Sequence, residues 1–262
     1  FPAWDCQPYD RVSPTRHCMG RRMDTLRSWL EPAQHPRLLV TSLDAMLQRV
    51  PPLDVIRQSR YRLVVGKRFD RSAFEDFTRR TGYSEEAIVD DPGEFAVRDD
   101  LIDIYPAGAG GPMRIVVDDK GMLSELRAYD PATQRTTELV EEIVLGPASE
   151  ALVKQGCDAG PDARRIDDQL LELYPSLDTV FDAIGSAPIA FAQGVTERLE
   201  AYFDIIDEAR IAREEFDKAK VSRSLYLDRT EWGTGMKGLD VFHLQQEAAP
   251  APPRFSKQAD PR

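Results

Sequence analysis

Hydrophobic and polar residues follow two different periods along this chain, and the change of period divides it into segments. Residues 1–60 combine helical and strand-like patterns. A Ser-Pro pair at 13–14 is typical of a helix start and opens a helix that reaches about Leu30. The nearly continuous apolar run at residues 37–41 predicts a buried parallel strand, and a capping serine then starts a helix over residues 43–49. This alternation is typical of a parallel sheet.

From residue 61 the pattern becomes mostly that of β-strands. Residues 61–65 predict a strand, and Asp70 or Ser72 caps a helix that Gly82 ends. Short segments of high β-propensity follow, separated by Gly- and Pro-containing turns. They predict strands at residues 94–98, 101–105, 113–118 and 123–129. Residues 61–141 are therefore expected to form a small antiparallel sheet with one helix, inserted into the first unit.

The remaining sequence is predicted to complete the first unit and to end in a C-terminal extension. Residues 142–145 predict the returning strand, and residues 142–221 complete the unit. Its further predicted elements are helices over residues 163–174, 177–184 and 196–221 and a short apolar strand over residues 188–192. Residues 222–262 are predicted to be a C-terminal extension that is disordered over residues 248–262, which are rich in Pro, Ala and basic residues.

Charge is unevenly distributed over these segments. The net charge of −11 divides into +6 in residues 1–82, −11 in residues 83–150 and −6 in residues 151–262. The acidic middle segment disfavours nucleic acid as its partner, because phosphate contacts require Lys and Arg. Three scattered cysteines without a CxxC pair predict neither a disulfide framework nor a zinc site, and they suit the reducing cytoplasm. No apolar run is long enough for a membrane span.

Motifs for catalysis or for cofactor binding are not found in the sequence. The dipeptide Gly66-Lys67 lacks the upstream glycine and the following Ser or Thr of a phosphate-binding loop. His17, His35 and His243 are isolated, so we expect surface histidines and no metal site. The paired aspartates lack the spacing of a calcium loop. We therefore expect no catalytic residue and no bound cofactor in this chain.

One stretch carries a specific resemblance. Residues 93–107, Gly-Glu-Phe-Ala-Val-Arg-Asp-Asp-Leu-Ile-Asp-Ile-Tyr-Pro-Ala, resemble the signature G-x-[FY]-x-x-R-G-x-[LIV]-[LIV]-[DE]-[LIV]-[FY]-P. That signature marks the UvrA-binding domain of the excision-repair helicase UvrB and its counterpart in the bacterial transcription-repair coupling factor, Mfd. The similarity continues through residues 113–115, 123–135 and 141–147.

Two upstream segments extend the resemblance and favour one branch of the family. Residues 2–14 resemble the Mfd segment W-[DE]-x-x-P-Y-D-x-x-S-P, and residues 39–49 resemble its next strand and helix. UvrB carries a long DNA-clamping hairpin between these blocks, whereas here Tyr9-Asp10 leads directly to Ser13-Pro14. The resemblance implies an incomplete, helicase-like parallel α/β domain over residues 1–60 and 142–221, with an inserted α+β domain.

The family binds the damage-recognition ATPase UvrA through this inserted domain. By resemblance, the contacts would fall on Arg98, Phe95 and Arg114, since arginine and aromatic side chains dominate protein interfaces. The sequence departs from the family at four nearby positions. Asp99 replaces a glycine and is expected to pair with Arg98, while Ala96, Glu85 and Val116 replace charged residues of UvrB.

The resemblance implies a non-catalytic region that recruits UvrA to stalled RNA polymerase and that is masked by the motor domains in the resting protein. The parent would be an ATP-driven DNA translocase that uses ATP and Mg, and that contacts RNA polymerase and duplex DNA through other parts. The start at Phe1, without a Met or a leader, predicts a fragment. Alternatives are a degenerate helicase fragment that contacts DNA through Arg16, Arg21, Arg22 and Arg27, and a regulatory paralogue with another partner.

Overall fold

Two hydrophobic clusters organise the chain in a computed structural model that describes residues 1–153, 165–218, 221 and 223–244. The first cluster draws on residues 4–56 and 151–232, and the second on residues 63–148. In chain order the elements are α1 (Arg16–Leu30), α2 (Leu43–Leu47), α3 (Leu53–Gln58), β1 (Tyr61–Val64), α4 (Arg71–Arg80), β2 (Ser84–Glu85), β3 (Glu94–Arg98), β4 (Leu101–Ile104), β5 (Met113–Val117), β6 (Leu123–Tyr129), β7 (Thr136–Val140), β8 (Glu142–Leu145), α5 (Ile166–Leu173), α6 (Val180–Ile184), β9 (Ile189–Phe191), α7 (Val195–Asp217), α8 (Arg229–Met236) and β10 (Val241–His243).

The second cluster lies beneath a six-stranded sheet with the order β2-β3-β4-β5-β6-β7. Strands β3 to β7 form an antiparallel meander, and only β2 runs parallel to its neighbour. Helix α4 contributes Phe74 and Phe77 to this core, and Asp70 caps the helix by accepting a hydrogen bond from the Ala73 amide. The four strands predicted between residues 94 and 129 are confirmed, whereas β7 was not predicted.

The strand at residues 142–145 does not return to the first unit, and that prediction is wrong. This strand, β8, pairs antiparallel with β1, and Tyr61 lies opposite Leu145. Leu145 is buried in the second cluster together with Leu63 of β1. The β1–β8 ladder therefore pairs the first strand of the inserted segment with its last strand, where the chain enters and leaves this segment.

The parallel strand predicted at residues 37–41 is also wrong. This segment is extended but has no strand partner among the described residues, and Leu38 and Val40 are 87% and 71% exposed. Other hydrogen bonds hold it: the Phe1 ammonium donates to the Val40 carbonyl at 2.8 Å, and Thr41 Oγ1 donates to the Phe1 carbonyl at 2.9 Å. The Arg37 guanidinium donates to backbone carbonyls at the end of α1. An apolar run forms a buried strand only where neighbours supply a ladder. The mixed α/β class is confirmed, but the described part of the first unit has a single parallel pair, β9–β10.

Part of the predicted C-terminal extension belongs to the folded core. Leu225, Tyr226, Leu227 and Trp232 are buried in the first cluster, and the Trp232 ring packs edge-on against Phe181 at 5.2 Å between ring centroids. Assigning residues 223–244 to an extension was therefore wrong. The disorder predicted for residues 248–262 lies outside the described residues, as does the predicted start of α5 near residue 163.

A buried ion pair joins α1 to the segment that follows β8. Arg22 Nε donates to Glu150 Oε1 at 2.6 Å, and both side chains are 1% exposed. The same carboxylate oxygen accepts a hydrogen bond from Trp4 Nε1 at 2.8 Å, while Arg22 Nη1 donates to the Pro2 carbonyl at 2.9 Å. These bonds tie the amino-terminal segment, α1 and residue 150 together in the first core.

Candidate protein-interaction site

One face of the six-stranded sheet points away from the second core. Side chains alternate between the two faces of a strand, so one row of aligned residues crosses this outer face. The row runs Ala96, Asp103, Arg114, Arg127 and Leu139 from β3 to β7. Arg98 lies two residues beyond Ala96 on the same face of β3. The sheet therefore places Arg98 and Arg114 on the same surface.

Arg114 is held by an acidic neighbour within the sheet. Its Nε and Nη2 donate to the two carboxylate oxygens of Asp103 at 2.7 and 3.0 Å, and Nη2 also donates to Gln134 Oε1 at 3.1 Å. The guanidinium lies 4.7 Å from the centre of the Tyr129 ring. Its hydrogen bond to Asp103 raises the pKa of Arg114. Arg114 is thus oriented before any partner arrives, and only part of its donor capacity remains available.

Arg98 is exposed at the end of β3. Its Nη2 donates to the carbonyl of Ala87, which belongs to the segment that leads from β2 to β3. The expected pairing of Arg98 with Asp99 does not occur in the described part of the chain; instead, Arg71 donates to the Asp99 carbonyl. A single carbonyl is a weaker partner than a carboxylate, so Arg98 can exchange it for a partner's carboxylate more readily than Arg114 can leave Asp103.

The segment formed by residues 86–92 covers part of the outer face. Ala96 points outward from β3 and yet is 3% exposed, and Val89 is buried without belonging to either hydrophobic cluster. The carboxylate of Glu94 accepts hydrogen bonds from the amides of Asp90 and Asp91, both at 3.0 Å. The open part of the face therefore lies beyond this segment, towards β6 and β7.

Phe95 occupies the opposite face of β3. Its side chain is 6% exposed, and its ring packs edge-on against Phe74 of α4 with 6.0 Å between ring centroids. In this conformation Phe95 supports the strand that carries Arg98 and does not reach the surface. Burial of about 150–250 Å² per aromatic side chain makes such a residue a strong contributor to a core.

Two further residues belong to the outer face but were not identified from the sequence. Arg127 lies directly opposite Arg114 and pairs with Glu125, while Leu139 is 67% exposed on β7. Of the other departures from the family, Glu85 is exposed on β2 and Val116 is half-buried on β5. Strand register alone would have placed Arg127 beside Arg114, but the register depends on β-bulges within the meander, at residues 116–117 and 128–129.

In the turn between β3 and β4, Asp99 stands where the family has a glycine, and it adopts a backbone conformation that favours glycine. Arg98 and Leu101 are paired, so Asp99 and Asp100 form a two-residue loop, and Asp99 has φ +36°. A hairpin loop with positive φ at its first position favours glycine there, because a Cβ atom is strained in that conformation.

We expect Asp99→Gly to stabilise the protein by about 1 kcal/mol, because glycine removes the left-handed strain at this position. The measurement is urea unfolding followed by circular dichroism, with Asp100→Gly as the matched control. Asp100 does not have positive φ, so its replacement is expected to give no stabilisation. Equal stabilisation by both variants would contradict a specific effect of the turn.

Three of the four arginines of α1 are bound within the fold, and Arg21 is exposed. Arg22 is buried against Glu150, Arg16 Nε donates to the Gly82 carbonyl at 3.1 Å, and Arg27 pairs with Asp24 and Glu31. These contacts fix α1 within the fold, so the interpretation as a packing face is favoured over nucleic-acid binding.

Among the described residues, no cluster of three or more His, Cys, Asp or Glu side chains could hold a metal ion. None of the described helices is both long and apolar enough to cross a membrane. The outer face of the sheet therefore carries the sequence-predicted residues that reach the surface, Arg98 and Arg114.

Comparison with known proteins identifies the domain that carries this face. Residues 61–150 match the family model of the UvrB interaction domain. This part of the chain is therefore similar to a UvrB interaction domain. Its boundaries include both strands of the β1–β8 ladder, so the domain begins and ends at the base formed by these strands. The six-stranded sheet, α4 and the second hydrophobic cluster all lie within it.

Curated relatives extend the similarity beyond the UvrB interaction domain. The chain is 35% identical over 153 residues to the transcription-repair-coupling factor of Myxococcus xanthus, a match that covers 58% of this chain and 13% of the relative. The corresponding protein of Escherichia coli is 32% identical over 148 residues, covering 56% and 12%. The matched region thus spans about an eighth of these relatives, and the chain is similar to their UvrB-like region.

Proposed function

We propose that this chain is a non-catalytic protein-interaction region of a transcription-repair coupling factor, and that the outer face of its UvrB interaction domain binds UvrA. The family match over residues 61–150 carries this proposal. The arrangement of Arg98, Arg114, Arg127 and Leu139 on one sheet face supports it. Basic side chains beside an exposed leucine provide both electrostatic and apolar contacts for a protein partner.

The residues on this face would have different roles. Arg98 is exposed and bound to one carbonyl, so it would turn to a carboxylate of UvrA and form the main contact. Arg114, fixed by Asp103, would present its remaining donors without losing side-chain entropy on binding. Leu139 would add apolar area at the far edge of the face. Phe95 would act from the core by holding β3 in place.

The wider role would follow from the parent protein. By recruiting UvrA, the domain would bring damage recognition to stalled RNA polymerase in transcription-coupled repair, and in the resting protein the motor domains would mask the face. ATP, Mg, RNA polymerase and duplex DNA would be bound by those other parts. The first unit would then be the incomplete counterpart of the helicase-like domain of UvrB.

UvrA binding measured by isothermal titration calorimetry tests the proposal. We expect the chain to bind with a dissociation constant of about 1 μM or tighter, and Arg98→Ala to lose about 1–3 kcal/mol of binding free energy, because it removes an interfacial arginine. Arg57→Ala is the matched control, since Arg57 is a partly exposed arginine on α3, outside the domain.

Three outcomes separate the alternatives. Loss of binding in Arg98→Ala but not in Arg57→Ala supports the outer face as the interface. Equal binding by both variants would show that UvrA contacts another surface. No binding by the unmodified chain would contradict the proposal and would favour a regulatory protein with a different partner.

A further inference from the structure

A polar cleft of about 350 Å³ lies in the first unit, outside the UvrB interaction domain. The amino-terminal segment, α2 and α7 form its walls, together with Tyr226 near the start of α8. Its polar lining includes Asp5, Asp10, Asp44, Gln48, Tyr202 and Tyr226, and none of the described residues that line it is Lys or Arg. This volume is within the range of about 300–1,000 Å³ that is usual for small-molecule pockets.

Two buried polar atoms in this lining have no hydrogen-bond partner among the residues that the structure describes. They are Gln48 Nε2, which needs an acceptor, and Asp44 Oδ1, which needs a donor. Gln48 is 2% exposed. Buried polar atoms are nearly always satisfied, so a pair of unpartnered atoms in one cleft indicates a bound molecule or ordered water.

The electrostatic character of the cleft favours a cation. Asp5 accepts hydrogen bonds from the amide and the hydroxyl of Thr15, and Asp10 accepts one from the Arg11 amide. The nearest cation to Asp44 is Arg198, whose Nη2 lies 3.5 Å from Oδ2 and whose side chain is 67% exposed to solvent. Three carboxylates thus line the cleft, and one exposed guanidinium partly balances them.

The remaining polar groups are neutral. Burial raises the pKa of the Cys6 thiol to about 12, with Asp167, Asp5, Asp10 and Cys18 adding to the effect. Burial likewise raises the pKa of Tyr202 to about 12, and the neighbouring Asp44 increases it further. The thiol and the phenol therefore stay protonated at neutral pH and add no charge to the cleft.

We propose that this cleft binds a small organic cation that also carries a carbonyl oxygen, of the class formed by amino-acid amides and peptide amino termini. The ammonium group donates to Asp44 Oδ1, and the carbonyl oxygen accepts from Gln48 Nε2. Water satisfies both atoms as well, but it supplies no counter-charge to the three carboxylates. This site is independent of the UvrA-binding face.

Binding of three small probes to the full chain tests this site by ligand-observed NMR. Glycinamide carries both the ammonium and the carbonyl, acetamide lacks the charge, and acetate reverses it. We expect saturable binding of glycinamide with a dissociation constant of about 1 mM, at least about tenfold weaker binding of acetamide, and none of acetate. Absence of saturable glycinamide binding would overturn the proposal and leave the cleft with water only.

Two substitutions locate the bound probe. Gln48→Met removes the donor at nearly constant volume, and Asp44→Asn removes the charge; each is expected to weaken glycinamide binding by at least about tenfold. Asp54→Asn, at an aspartate that is 81% exposed on α3, is the matched control and should leave binding unchanged. Circular dichroism checks the fold, and if Asp44→Asn does not fold, Gln48→Met decides. Unchanged binding by Gln48→Met would place the probe elsewhere and refute the assignment.

Discussion

Replacing Glu150 with alanine is expected to lower the free energy of unfolding by about 3–5 kcal/mol, because it leaves a buried charge without its partner. Arg22 would keep its guanidinium in a site where the side chain is 1% exposed. Trp4 Nε1 would lose its acceptor as well. All three tryptophans lie in the first unit, so urea unfolding followed by tryptophan fluorescence measures this loss directly.

An exposed ion pair of the same residue types provides the control. Arg62 and Glu142 bridge β1 and β8, and their side chains are 62% and 50% exposed. Glu142→Ala is expected to cost at most about 1 kcal/mol, because solvent screens such pairs. The double substitution Arg22→Met with Glu150→Leu should recover much of the lost stability, since it removes both buried charges. If Glu150→Ala were no more destabilising than Glu142→Ala, the buried pair would not hold the amino-terminal segment in place.

Truncation of Phe74 is expected to destabilise the domain formed by residues 61–150 by about 3–5 kcal/mol, because it opens a cavity beneath the sheet. Phe74 is fully buried on α4 and packs against Tyr61, Phe69 and Phe95 with ring-centroid distances of 5.9, 5.6 and 6.0 Å. Hydrogen exchange of the β3–β6 amides in Phe74→Ala measures the effect, since the domain contains no tryptophan.

A surface phenylalanine supplies the comparison for this substitution. Phe216 on α7 is 60% exposed and lies 3.8 Å from the Arg11 guanidinium. Phe216→Ala is expected to cost about 1 kcal/mol or less, the value of an exposed cation–π contact. Unchanged protection of the β3–β6 amides in Phe74→Ala would show that α4 is not the support of the sheet. Such a result would also mean that packing of Phe95 against α4 does not hold the strand that carries Arg98.

The contrast between Arg98 and Arg114 shows where inference from the sequence was limited at the candidate site. Both arginines were found from a motif, and both lie on the outer face. Only the three-dimensional contacts distinguish them, since Asp103 sits opposite Arg114 in the neighbouring strand while Arg98 meets a single carbonyl. Phe95 was found from the same motif but lies on the other face, because successive residues of a strand point in opposite directions.

Local signals were sufficient for the elements that depend on neighbouring residues in the sequence. The helix predicted to reach Leu30 is α1, which ends at that residue, although its cap is Thr15. Asp70 was one of the two predicted caps of α4, and Ser42 caps α2 as expected. The meander between residues 94 and 129 was predicted because each strand is short, β-rich and bounded by turn residues. Caps, turns and periodicity are properties of the local chain, and the sequence by itself determined them.

Long-range partners decided the rest. Residues 37–41 have the composition of a buried strand, but among the described residues no neighbour completes a ladder, so they stay exposed. Residues 223–244 have only a weak pattern of hydrophobic and polar positions. They belong to the core because Trp232 packs against Phe181. Arginine is usually an exposed residue type, but Arg22 is buried because the carboxylate of Glu150, 128 positions away, pairs with its guanidinium. Burial and pairing across such separations depend on tertiary packing, which a local pattern does not encode, and only the folded structure determined them.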